Sequence, residues 1–132
     1  MIYDNLLGEF IGTMVLIVFG GGVCACNTLA KSKGQGGGWI CITTAWGFAV
    51  MLGVFTATTL GAPQGDLNPA VTLGKTMIGI YSVPQFIVTS IVQILGGSLG
   101  AAIVWLAYLP HWAETEDKAA KLGIFCTAPA IR

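Results

Sequence analysis

The sequence predicts an all-α membrane protein with three transmembrane helices and one re-entrant half-helix. Hydrophobic residues make up 55% of the 132 residues and charged residues only 9%, whereas a soluble domain has about 25% charged residues. Residues 6–30, 39–60 and 83–109 contain a single charged side chain, Glu9. Each stretch exceeds the roughly 20 residues that a helix needs to cross a bilayer. Between the second and third stretches lies a segment too short for another crossing.

The predicted elements follow from these charge-free stretches. Transmembrane helices are expected at about residues 6–29, 39–60 and 84–109, within one membrane domain spanning residues 1–132. A polar loop separates the first two, and residues 110–132 are expected to form a polar tail. Tryptophan and tyrosine favour the headgroup region, and they lie near the predicted helix ends at Trp39, Tyr81, Trp105, Tyr108 and Trp112.

Residues 61–79 carry the most information about function. Residues 61–67 are expected to be extended, and a short helix is expected from Pro69 to Gly79, because asparagine is a favoured N-cap and proline a favoured first helical residue. An Asn68-Pro69 pair alone would suit an ordinary capped helix in a surface loop. Between two charge-free spans, it favours a segment that enters the membrane. Such backbone must be buried in protein or line a water-filled cavity.

Composition also limits the other classes of function. The net charge is zero, so nothing indicates nucleic-acid binding, and neither a metal nor a cofactor is expected. The pairs Gly8/Gly12 and Gly96/Gly100 have the spacing that lets transmembrane helices approach closely. The four cysteines match no zinc or haem pattern. They are interpreted as small buried residues, or alternatively as a chance grouping of Cys24 or Cys26 with Cys41.

Two motifs resemble the aquaporin and aquaglyceroporin family, also called the major intrinsic proteins. Residues 65–72, Gly-Asp-Leu-Asn-Pro-Ala-Val-Thr, are similar to the first signature loop of that family. Residues 8–13, Gly-Glu-Phe-Ile-Gly-Thr, are similar to its first-helix motif. The resemblance covers the whole chain and corresponds to the N-terminal half of a glycerol uptake facilitator-like channel. It implies one inverted repeat of an aquaporin-like fold.

The resemblance implies a role for each residue of the loop. Asn68 would be the central hydrogen-bond donor to the solute, and Pro69 and Ala70 would pack against the matching loop of a second half. A polar ladder for the solute would be formed by the carbonyl groups of Gly65, Asp66 and Leu67.

Two residues outside the loop complete the expected site. The resemblance places Trp46 at the aromatic filter and implies that Glu9 accepts N–H groups of the re-entrant loop. The alternatives are lipid or core packing for Trp46 and a carboxylate that reaches the nearby membrane interface for Glu9. Asp66 stands where the family usually has histidine, so a carboxylate directed into the pore would add a negative charge near its mouth, whereas a carbonyl alone would change little.

The membrane orientation expected from the resemblance conflicts with the charges. Three crossings place the two termini on opposite faces, and the resemblance places the N-terminus in the cytoplasm. Lys75 is the one basic residue expected on that face, so the positive-inside rule favours the opposite orientation. The other basic residues are Lys31, Lys33, Lys118, Lys121 and Arg132.

The expected function is a passive channel in the cell membrane for small neutral solutes, glycerol or a similar polyol together with water. A second, inverted half would be needed to enclose the pore, and the family implies a homo-tetramer in the lipid bilayer. The alternative is a non-conducting truncated membrane protein or an assembly partner. An enzyme is not expected, because no residues have catalytic spacing and the lone His111 is expected to be solvated in the polar tail.

Overall fold

The computed structural model describes residues 4–131, and its regular structure there is helical. Three long helices dominate: α1 (Leu6–Thr28), α2 (Gly38–Thr59) and α4 (Val83–Ala107). Each is long and apolar enough to cross a membrane. The short helix α3 (Pro69–Met77) lies between α2 and α4 in the chain. This is the all-α architecture of three spans and one half-helix that the sequence predicts.

Helix α1 is the centre of the fold and packs against both α2 and α4. Glycines make this possible, because their missing side chains let the helix backbones meet. A Cβ at Gly8 would lie 2.4 Å from the carbonyl oxygen of Ala57 on α2. On the other side, a Cβ at Gly96 of α4 would lie 2.2 Å from the carbonyl oxygen of Phe10. The close packing predicted from the two glycine pairs is therefore confirmed.

Helix α3 is a half-length helix with a defined beginning and end. Asn68 caps it, since its Oδ1 accepts a hydrogen bond from the Ala70 amide at 2.8 Å. At the other end Gly79 adopts a φ of +83° and Ile80 donates its amide to the Lys75 carbonyl oxygen. This is the glycine-terminated Schellman arrangement. The helix has nine residues, about 13 Å. It ends two residues before the predicted Gly79, which follows the C-cap residue Ile78.

The segment expected to be a polar tail is more ordered than predicted. It contains the short helices α5 (Leu109–Glu114) and α6 (Lys118–Gly123). Ile124 is buried in a cluster with Ala25, Leu29 and Val104, so the segment folds back over the ends of α1 and α4.

His111 holds this segment in place and is half-buried, so the expectation of a solvated histidine was wrong. Its Nδ1 lies 2.9 Å from the carbonyl oxygen of Ala30, and the hydroxyl of Thr115 accepts a hydrogen bond from the Ala30 amide at 2.9 Å. Lys31 and Glu114 form an ion pair beside these contacts. Two short-range signals in the tail, Pro110 near the start of α5 and Asp117 as the N-cap of α6, account for the helices.

Candidate functional site

The extended segment between α2 and α3 is held against α1 by one buried carboxylate. Glu9 is completely buried. Its Oε1 accepts the amide of Asp66 and its Oε2 accepts the amide of Leu67, both at 2.8 Å. A buried charge is tolerated when it is fully hydrogen-bonded. These two bonds direct successive backbone N–H groups of the loop inward, toward α1.

Sequence reasoning missed the polar side chains that complete this cluster. Gln93 of α4 is buried and donates from Nε2 to Oε2 of Glu9 at 2.9 Å and to the hydroxyl of Thr72 at 3.0 Å. Thr72 of α3 is also buried. The signal for Gln93 was available: a lone amide in the middle of a charge-free span needs a partner inside the protein.

The loop is also anchored by an apolar side chain. Leu67 is buried between α1 and α2. Its methyl carbons lie against Gly12 of α1 and Gly53 of α2, where an added Cβ would be only 2.7 Å and 2.8 Å away, respectively. Its backbone has a φ of +53°, a left-handed conformation that is costly for a branched residue. The surrounding structure must therefore fix it, as expected for a strained functional segment.

Several hydrogen-bonding groups of the loop have no partner among the described residues. In the described part of the chain, no hydrogen bond reaches the carbonyl oxygens of Gly65, Asp66 or Leu67. The side chain of Asn68 is exposed, and its Nδ2 group donates no hydrogen bond among the described residues. Pro69 is half-buried and Ala70 is exposed. Acceptors and one donor are thus available at the amino end of α3.

The carboxylate of Asp66 lies inside the protein rather than on the exposed side of the loop. Its side chain has no exposed surface and forms an ion pair with Lys75. A second carboxylate oxygen accepts the hydroxyl of Thr72 at 3.0 Å. The carboxylate directed into the pore, one of the two outcomes weighed from the sequence, is therefore not the arrangement in this structure, and the carbonyl oxygen of Asp66 is left as the free acceptor within the described part of the chain.

Trp46 lies farther along the bundle, toward the end that carries α5 and α6. Its ring rests on Gly20, where a Cβ would be 2.4 Å from the ring, and its Nε1 donates to the sulfur of Cys24 at 3.3 Å. Eleven residues of α1 separate Glu9 from Gly20, which corresponds to roughly 16 Å. The structure therefore does not bring Trp46 into contact with the loop.

The ring of Trp46 is half-exposed and lines a cavity of about 780 Å³. The cavity walls come from α1, α2 and the segment around α6, including Thr28, Thr43 and Thr127. Mixed aromatic and hydroxyl-bearing walls suit a molecule with both a carbon skeleton and hydroxyl groups.

A buried tyrosine lies beside the loop. Tyr81 is part of the segment that connects α3 to α4, and it lies near Asp66. Burial first, and then the nearby carboxylate of Asp66, raise the pKa of Tyr81. The phenol therefore stays neutral at physiological pH.

At the opposite end of the bundle, the Lys31 ammonium lowers the pKa of Glu114 from its ordinary value.

Comparison with known proteins agrees with this geometry. The family model described as "Major intrinsic protein" matches residues 1–130. "Glycerol uptake facilitator protein 3" of Lactiplantibacillus plantarum is 50% identical over 97% of this chain and 52% of its own length. "Probable glycerol uptake facilitator protein" of Thermotoga maritima is 50% identical over 96% of this chain and 53% of its own.

A more distant relative has a different name. The "D/L-lactic acid transporter" of Lactiplantibacillus plantarum is 35% identical over 97% of this chain and 53% of its own length. The chain thus spans about half the length of the curated relatives that it matches. With the family model covering nearly all of the sequence, the chain belongs to the major intrinsic protein family.

Proposed function

We propose that this chain supplies the first half of a passive transmembrane channel for small neutral solutes, glycerol and water. The observation that carries the proposal is the polarity of the re-entrant loop. Its amides are bound inward by Glu9, and the carbonyl oxygens of Gly65, Asp66 and Leu67 remain without partners among the described residues. A row of acceptors that leads to one amide donor, Asn68, matches the hydroxyl groups of a polyol or of water.

The electrostatics of the loop favour uncharged solutes. The amino end of a helix carries partial positive charge, and Asn68 stands at that end of α3. Such an end repels cations and protons inside a pore. The Asp66 carboxylate does not oppose this effect, because it is buried and paired with Lys75.

The named relatives support the choice of solute. Two proteins that are 50% identical to this chain are named as glycerol uptake facilitators. Trp46 would act as the aromatic part of a solute filter, since its half-exposed ring lines a cavity with threonine hydroxyls. We place the channel in the cell membrane, with its N-terminus in the cytoplasm, and assign no catalytic step to it.

A second, inverted half is needed to enclose the pore. Three crossings place the chain ends on opposite faces, so a second copy of the repeat would be inserted upside down, as in inverted-repeat transporters. Pro69 and Ala70 would then meet the matching loop of that half. We call this chain together with such a second half the assembled channel, and by family resemblance it would form a homo-tetramer. The alternative is a chain that inserts but does not conduct.

Solute-induced swelling of liposomes tests the proposal. Liposomes containing the assembled channel should swell in a glycerol gradient faster than empty liposomes. Replacing Asn68 by Ser should slow the swelling, because serine keeps the helix cap but lacks the amide donor. A Ser82→Asn variant serves as the control, because Ser82 is the N-cap of α4 and asparagine keeps that cap. Swelling equal to that of empty liposomes would favour the non-conducting alternative.

A further inference from the structure

The ion pair between Asp66 and Lys75 is built into the base of the re-entrant loop. The Asp66 side chain has no exposed surface and that of Lys75 is 24% exposed. Thr72 donates to the second carboxylate oxygen at 3.0 Å. One residue of the pair precedes α3 and the other lies in its last turn.

The same lysine also binds the backbone of the loop. Its Nζ donates to the carbonyl oxygen of Gln64 at 3.2 Å. The ammonium thus connects the residues on both sides of Gly65, which has a φ of +50°. This connection fixes the left-handed turn at the start of the row of free carbonyl groups.

Charge balance gives the pair a second effect. A buried carboxylate whose partner is removed is strongly destabilising, and an unbalanced negative charge beside a narrow path concentrates cations. With Lys75 in place, the two formal charges of the pair sum to zero.

We infer that Lys75 is a positioning residue of the solute path: it neutralises Asp66 and holds the backbone that carries the free carbonyl groups of residues 65–67 in place. This inference rests on the proposed function for the meaning of the path, but the ion pair is tested independently of conduction. Neither the motif of the loop nor the named relatives assign a role to Lys75.

The charged and titratable surroundings of Asp66 define the experiment. Glu9 faces the loop from α1, Lys75 from α3 and Tyr81 from the connection to α4. Helix α4 contributes the uncharged Gln93. An effect of the Asp66 charge must therefore disappear when Asp66 itself is replaced, whereas an effect of the Glu9 charge would persist.

Thermal unfolding of the chain in detergent tests the pair. Five forms are compared: the wild type and the K75Q, D66N, D66N/K75Q and K33Q variants. Lys33 is exposed, so K33Q controls for the loss of one positive charge. At pH 8, K75Q should unfold about 5 °C or more below K33Q. The double variant should recover at least half of that loss.

The double variant separates charge from shape, because it lacks the lysine side chain just as K75Q does. Its recovery measures the removal of the unbalanced negative charge of Asp66, and a purely steric role of Lys75 would give no recovery. Equal unfolding temperatures for K75Q and K33Q would overturn the inference. So would a double variant as unstable as K75Q.

Conduction is measured separately on the assembled channel. Glycerol swelling per folded channel should fall severalfold in K75Q and return in the Lys75→Arg variant, which keeps the positive charge. Unchanged swelling in K75Q would overturn the positioning role even if the ion pair stabilises the fold. If the wild-type channel fails to pass glycerol, the proposed function fails, while the unfolding cycle still decides whether the pair holds the loop.

Discussion

The Glu9→Gln substitution tests how the loop is held in shape. The Glu9 carboxylate accepts one hydrogen bond at Oε1, from Asp66, and two at Oε2, from Leu67 and Gln93. Glutamine has nearly the same shape, but it replaces one acceptor oxygen with a donor group. The orientation that keeps more hydrogen bonds leaves its oxygen at the Oε2 position. The new NH₂ group then faces the amide of Asp66, donor against donor.

The expected cost follows from that single unmatched amide. A buried donor left without a partner costs about 1–3 kcal/mol. Because about 1.4 kcal/mol corresponds to a tenfold change in an equilibrium constant, the loop should open about 5- to 140-fold more often. The other two hydrogen bonds become weaker without the carboxylate charge, which also increases opening. A neutral side chain costs less to bury than a charged one, which reduces opening.

Hydrogen exchange measured by mass spectrometry reports this opening directly. Peptides that contain residues 61–68 should exchange about 5- to 140-fold faster in Glu9→Gln than in the wild type, since local opening governs the exchange of protected amides. Glu116 is exposed, so the Glu116→Gln variant should match the wild type. Equal protection of the loop in Glu9→Gln and in this control would refute the assignment of Glu9 as the residue that holds the loop.

Three further predictions concern other parts of the chain. Replacing Trp46 by Ala in the assembled channel should relax discrimination among polyols of different size in swelling assays, and unchanged discrimination would assign the ring to packing alone. Gly96→Ala should lower the unfolding temperature sharply, because a Cβ would lie 2.2 Å from a main-chain carbonyl oxygen of α1. Gly97→Ala is the control and should be tolerated, because a Cβ there meets only ordinary contacts at 3.7 Å. Equal effects of the two substitutions would contradict the packing described. Lys31→Gln should raise the pKa of Glu114 toward its ordinary 4.5, as followed by NMR titration. The pair lowers the pKa of Glu114 in the folded state, so its stabilisation is fully present above the ordinary pKa of 4.5 and is lost as the pH falls through the lowered pKa. The stabilities of the wild type and the variant should therefore converge in acid.

The sequence predicted the architecture because membrane insertion leaves few alternatives. Charge-free stretches of sufficient length define the spans, and the half-helix follows from local capping chemistry at Asn68 and Pro69. The predicted half-helix extends to Gly79. The structure ends the helix at Met77, and Gly79 follows in the left-handed conformation that terminates a helix.

The parts that could not be predicted depend on contacts between distant residues. Gln93 meets Glu9 across 84 positions of sequence, and no local pattern encodes this pairing. Asp66 and Lys75 are nine residues apart in the sequence, and no regular helix brings residues with this spacing together. Their ion pair forms across a segment with two left-handed residues, Gly65 and Leu67, and the positive φ of Leu67 is set by tertiary packing rather than by residue type.

The tail illustrates a local signal that was present and not used. Asp117 accepts hydrogen bonds from the amides of Ala119 and Ala120 at 2.9 and 3.0 Å, as an N-cap does. An aspartate followed by good helix formers, here lysine and two alanines, is a recognised helix start. The contact of His111 with Ala30, in contrast, depends on the end of α4 lying beside the end of α1, which only the fold reveals.

A crystal structure of the assembled channel with glycerol tests the central claim most directly. The account predicts glycerol hydroxyl groups within hydrogen-bonding distance of the carbonyl oxygens of Gly65, Asp66 and Leu67, and one near Nδ2 of Asn68 at the middle of the membrane. A solute path that runs elsewhere, with these carbonyl groups turned into protein or lipid, would contradict it.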